Sequence, residues 1–86
     1  MKVIFKYPFK IADIVDILLP FGSRVIAIQE QRGIAFLWAI VNPEEKSLGN
    51  RRFYVFGTGN EITAPIHEMK HISTVQVNGF VWHIFE

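Results

Sequence analysis

At 86 residues, half of them apolar and 14% aromatic, the chain has the composition of one small domain (1–86) with a packed core, not of a disordered segment. Nine basic against eight acidic residues give a formal charge of +1, which lacks the basic footprint of a general nucleic-acid binder. The absence of cysteine excludes disulfides, thiol nucleophiles and cysteine-held metals.

No apolar run approaches the roughly 18–20 residues that span a bilayer. The stretch Met1-Lys2-Val3-Ile4-Phe5-Lys6-Tyr7 is interrupted by lysine too early for a signal peptide. The expectation is a soluble, cytoplasmic protein. So small an apolar domain cannot hide all its apolar surface in one core, and the surplus points to a homo-oligomer.

In chain order, residues 2–9 alternate as a strand that Pro8 ends or confines to an edge. Residues 11–19 fit two templates. Ile11, Ile14, Val15 and Leu18 make a helical stripe, whereas the β-branched content and the neighbouring strands favour a strand. Between Arg24 and Val41 two apolar runs meet at Gln31-Arg32-Gly33. A two-residue turn there sets Gln31 against Ile34 and Ala27 against Trp38; a three-residue turn sets Ile26 against Trp38. The second run, 34–41, is apolar on both faces, so it expects cover on both sides.

Residues 42–50 read as a polar loop and 51–56 as an aromatic strand running into Gly57-Thr58-Gly59-Asn60. Residues 61–66 form an irregular link containing Pro65. His71 to Val77 resumes alternation and meets Asn78-Gly79, a strong type I′ hairpin signal. That turn pairs Val77 with Phe80, Val75 with Trp82 and Ser73 with Ile84. On the other face it pairs Gln76 with Val81, Thr74 with His83 and Ile72 with Phe85. The fold class is therefore all-β: a small antiparallel sandwich or partly open barrel of six or seven short strands.

The chemistry concentrates around the fifth run. A strand entering Gly57-Thr58-Gly59 either leaves its sheet and presents amides beside a hydroxyl or closes in a tight, bulged β-turn whose glycines serve geometry alone. The loop has no P-loop lysine. Parity places Arg52, Tyr54, Phe56 and Thr58 on one face, a cation, two rings and a hydroxyl suited to stacking and anion capture. Trp38 and Trp82 serve as core or as pocket wall. His67 and His71 have a spacing that aligns metal ligands only on a helix, and no metal or cofactor is expected. His83 reads as a hydrogen-bonded structural histidine or a general base. No nucleophile-elbow context surrounds any serine or threonine, and no catalytic residue is assigned.

Ile4-Phe5-Lys6-Tyr7-Pro8, Trp38-Ala39-Ile40-Val41-Asn42-Pro43, the Gly57-Thr58-Gly59 loop and the Trp82-His83-Ile84-Phe85-Glu86 ending resemble a family of short, uncharacterised bacteriophage and prophage proteins. Asn60 stands where that family commonly carries histidine. The resemblance implies a phage context, the cytoplasm of an infected bacterial host, and action by stoichiometric binding.

The leading expectation is a non-enzymatic, anti-defence binding module that sequesters a small nucleotide-derived anion. Its ligand-binding residues would be Trp38, Arg52, Tyr54, Gly57, Thr58, Gly59, Asn60, Gln76 and His83. The alternatives are a module that binds and blocks a host or defence protein, and a small nucleotide hydrolase.

Overall fold

A computed structural model describes all residues 1–86 and contains seven strands in two antiparallel sheets. The strands are β1 (Val3–Pro8), β2 (Ile14–Pro20), β3 (Arg24–Gln31), β4 (Ile34–Val41), β5 (Leu48–Gly57), β6 (His71–Val77) and β7 (Phe80–Phe85). One sheet has the order β1-β4-β3, the other β2-β5-β7-β6, and the two do not close into a barrel. A single 3₁₀ turn, Ile66–Glu68, interrupts the link into β6. No helix is long and apolar enough to cross a membrane.

The core lies between the sheets and follows from strand parity. Ala35, Leu37, Ala39 and Val41 of β4 point inward against Phe53 and Val55 of β5, Val75 and Val77 of β6, and Ile84 of β7. Phe9, just past β1, packs edge-on against Phe53 at 5.6 Å, and both are buried. Burial of a side chain of that size contributes about 1.5–3 kcal/mol.

The segment 11–19 resolves as strand β2. Its inward residues Val15, Ile17 and Leu19 join the core, and pairing with β5 satisfies its backbone. A helix at the same place would have left the edge of β5 unpaired.

Both hairpins close as two-residue turns with positive φ at both positions: Arg32 and Gly33 in one, Asn78 and Gly79 in the other. Gln31 therefore faces Ile34 and Ala27 faces Trp38. The second hairpin follows the expected register from Val77–Phe80 to Ser73–Ile84, then departs from it. His71, not Ile72, faces Phe85, because Ile72 is the extra residue of a β-bulge. A second bulge at Ile26 interrupts the β3–β4 ladder between Val25 and Ala27.

Two polar devices join the layers. Ser73 donates its hydroxyl to the Ile28 carbonyl at 2.6 Å, linking β6 to β3. Arg51, which has inward parity on β5, grips Glu86 through two guanidinium nitrogens and donates to the Ser23 carbonyl at 2.7 Å. Hydrogen bonding to the Glu86 carboxylate raises the Arg51 pKa further, against a smaller opposing effect of burial.

Candidate functional site

The outer face of the four-stranded sheet is laid out in rows. Tyr54, Phe85 and His71 form one row, and Phe56, His83 and Thr74 the next. Beyond Phe56 the fifth strand ends. The Asn60 amide donates back to the Gly57 carbonyl at 3.1 Å, closing a β-turn over residues 57–60. Gly59 occupies the third position with φ +87°, where a side chain would be strained.

The turn is less open than a strand leaving its sheet would be. The Thr58 amide donates to the Val81 carbonyl at 3.3 Å, so two of the loop amides are used internally and that of Gly59 has no partner within the chain. Gly57 is favoured as glycine for a local reason. A Cβ there would lie 2.7 Å from Asn60 Nδ2 and 3.4 Å from a Trp82 ring carbon.

A polar chain fastens this turn to the sheet. Thr58 Oγ1 lies 2.8 Å from His83 Nε2, His83 Nδ1 lies 3.0 Å from Thr74 Oγ1, and Thr74 Oγ1 lies 2.9 Å from His71 Nε2. A neutral imidazole carries one donor and one acceptor nitrogen, so His83 donates to one threonine and accepts from the other. No carboxylate stands behind His83 to stabilise an imidazolium. The arrangement is that of a latch, not of a nucleophile–base–acid triad.

Three concavities surround the turn. The largest, about 460 Å³, is bounded by Gly57, Thr58, Asn60, Gly79, Phe80 and Trp82, among others. Its wall is aromatic: the Phe80 and Trp82 rings are 5.9 Å apart and tilted by 39°, and Phe80 is 65% exposed. A second, about 230 Å³, lies on the His83 side and includes Phe56, Ile62 and Phe85. A third, about 250 Å³, contains Asp13 and Glu61. No lysine or arginine lines any of the three.

Of the residues singled out in sequence, Gly57, Thr58, Gly59, Asn60 and His83 come together here. Gln76 lies on the same outer face, across from Val81, whose carbonyl anchors Thr58. Tyr54 stands two rows from the turn. Arg52 is six positions up the strand from Thr58, roughly 20 Å at ~3.3 Å per residue. Its guanidinium there is held by both Asp16 carboxylate oxygens, at 2.9 and 3.0 Å. Trp38 belongs to the other sheet, on its outer face between Lys6 of β1 and Ala27 of β3. A site combining Arg52, Trp38 and the turn is therefore not assembled within one chain.

Sequence reasoning missed Phe80 as a wall of the site. The signal was present, since Asn78-Gly79 fixes Phe80 as the first residue after a tight turn, where neighbours are few.

The family described as a domain of unknown function (DUF7352) matches the chain over residues 1–86. No curated protein and no solved structure matches it.

Proposed function

The chain belongs to that family of a domain of unknown function (DUF7352), and we propose that it is a non-catalytic binding module that holds the uncharged part of a nucleotide-derived ligand at the Gly57–Asn60 turn. The observation that carries this reading is the pairing of an aromatic wall, exposed Phe80 and half-buried Trp82, with the polar edge of the turn. A planar heterocycle stacks on such rings for about 1–3 kcal/mol per base. The Asn60 side-chain carboxamide, the unpartnered Gly59 N–H and the Thr58 hydroxyl supply donors and acceptors for its edge.

Local charge refines the ligand. Asp13 and Glu61 are the acidic residues beside the turn and no basic residue lines its hollows, so a nucleobase or nucleoside part suits the corner better than a phosphate. In a phage setting such a module would sequester a nucleotide signal of host defence. Calorimetry with linear and cyclic nucleotides and with the parent nucleosides tests the reading. Binding that is lost in Phe80→Ala, a substitution at an exposed position, supports it; silence across the panel retires it.

A second reading rests on a different observation. The outer face of β4 presents half-buried Phe36, Trp38 and Ile40, flanked by exposed Ile4, Ile26 and Ile34. No further strand or helix of the chain covers this face. As a protein-interaction module, the chain would dock this face on a host protein or on a second copy of itself. A pull-down that retains one specific protein and loses it in Ile40→Lys favours that reading.

A further inference from the structure

Both β-bulges of the molecule fall at one place. Ile26 is the extra residue in β3, Ile72 the extra residue in β6, and the two line a single notch of about 240 Å³ where the sheets meet. Bulges re-aim the side chains next to them. Here the residues so placed are Arg24 and Lys70, each two positions before its bulge, together with His71.

We infer that this notch is an anion-binding site for a phosphoryl or similar tetrahedral oxyanion, separate from the turn and independent of what the turn binds. Three features carry the assignment. The notch is lined by Arg24 and Lys70, with no carboxylate among its lining residues, and the ring of the third polar lining residue, His71, is bonded at its edge to Thr74. Neither Arg24 nor Lys70 is spent on an ion pair: the two ion pairs of the chain belong to Arg51 and Arg52, and Glu86, the nearest acid in the β6–β7 ladder, gives both oxygens to Arg51. The backbone beneath is fixed, because Lys70 and Glu86 exchange both of their N–H···O bonds, at 2.8 and 2.9 Å. A forked guanidinium and a point-charge ammonium on a held backbone suit the oxygens of a phosphate.

One other concavity has two cations, Lys6 and Arg32, and it serves as the internal comparison. Lys6 there is already engaged, bonded to Gln31 at 3.1 Å and lying 4.4 Å from the Phe36 ring centroid. The seam between β3 and β6 is thus where two uncommitted cations share a hollow.

The test is an NMR titration of the ¹⁵N-labelled chain with inorganic phosphate at constant ionic strength, run beside adenosine and adenosine monophosphate. Phosphate is expected to give saturable shifts at the amides of residues 25, 26 and 70–72 and at the His71 ring. Arg24→Gln and Lys70→Gln should each weaken it about tenfold, the loss expected of one charge-assisted hydrogen bond, while Lys6→Gln leaves it unchanged. Shifts spread evenly over surface lysines, equal shifts at the Lys6–Arg32 hollow, or variants that titrate like the parent would overturn the site. Adenosine reports on the turn alone: adenosine without phosphate binding removes only the notch, and phosphate without adenosine binding removes only the turn. Adenosine monophosphate shows whether the phosphate enters the notch free or as part of a nucleotide.

Discussion

Thr58 and His83 are 25 positions apart in the chain and meet at 2.8 Å, closing the end of β5 onto the middle of β7. The contact does for the turn what a cap does for a helix. It gives the hydroxyl of a residue beyond the last ladder pair a fixed partner within the sheet. A rigid turn loses less entropy on binding, so the latch bears on recognition as well as stability.

Thr58→Val keeps the shape and removes the hydroxyl. The expected cost is about 0.5–1.5 kcal/mol, the usual net value of one hydrogen bond, since the site is exposed and water can replace the lost partner. Faster hydrogen exchange at Asn60, with β6 and β7 core amides unchanged, is the expected signature. Unchanged exchange at Asn60 would mean that the turn holds itself without His83.

The glycines of the turn should differ in how they fail. Gly57→Ala places a Cβ 2.7 Å from Asn60 Nδ2, and because that atom is the far end of a flexible side chain the expected loss is about 1 kcal/mol, the low end for overpacked positions. Much of it should return in Gly57→Ala combined with Asn60→Gly, because the colliding atom belongs to a side chain. Gly59→Ala meets nothing within 4 Å but sits at φ +87°; its cost of about 1–2 kcal/mol is backbone strain and no neighbouring substitution should relieve it. Chemical denaturation of the three variants separates the two cases.

These contrasts also show what could be read from the sequence and what could not. Asn78-Gly79 and Arg32-Gly33 are both local turn signals, but only the first fixed its hairpin register, up to the bulge; at Arg32-Gly33 two registers stayed open until the ladder set Gln31 against Ile34. The bulges at Ile26 and Ile72 left no mark, because a β-branched residue suits a regular ladder as well as it suits a bulge. Pairing between distant strands was equally silent. Parity placed Arg52 and Thr58 on one face of β5, yet only the β2–β5 ladder brings Asp16 to Arg52, and only the β5–β7 ladder brings His83 to Thr58. Trp38 was eligible for the site until the sheet order put β4 in the other layer.

Arg51 and Glu86 offer a test of how the open end of the sandwich is closed. Their side chains are 29% and 24% exposed, and Arg51 also holds the Ser23 carbonyl at the start of β3. Glu86→Gln preserves the shape but removes the negative charge that balances the partly buried Arg51 guanidinium. The expected destabilisation is about 1.5–3 kcal/mol, the range for hydrogen bonds to charged groups, seen as a lower denaturation midpoint with an unchanged slope. A loss below half a kilocalorie would place the pair among surface ion pairs of little consequence.

Asp16 and Arg52 lie at the opposite extreme of exposure and make a prediction about pH instead. Hydrogen bonds from Arg52, then from Asn50, lower the Asp16 carboxyl from its ordinary 3.8 to about 2. A folded-state pKa below the unfolded one means that the pair stabilises the native state above the ordinary value, and that this contribution fades as pH falls through about 2. Solvent screening keeps the effect small, so the measurement of choice is a carboxyl-carbon NMR titration and not a melting curve. Asp16 should titrate near 2 in the parent chain and return toward its ordinary value in Arg52→Gln. Because Arg52 is spent on Asp16 and stands far up the strand from Thr58, the same substitution should leave nucleoside binding at the turn unaltered. Lost binding in Arg52→Gln would restore the arginine to the site and move the ligand along the face of β5.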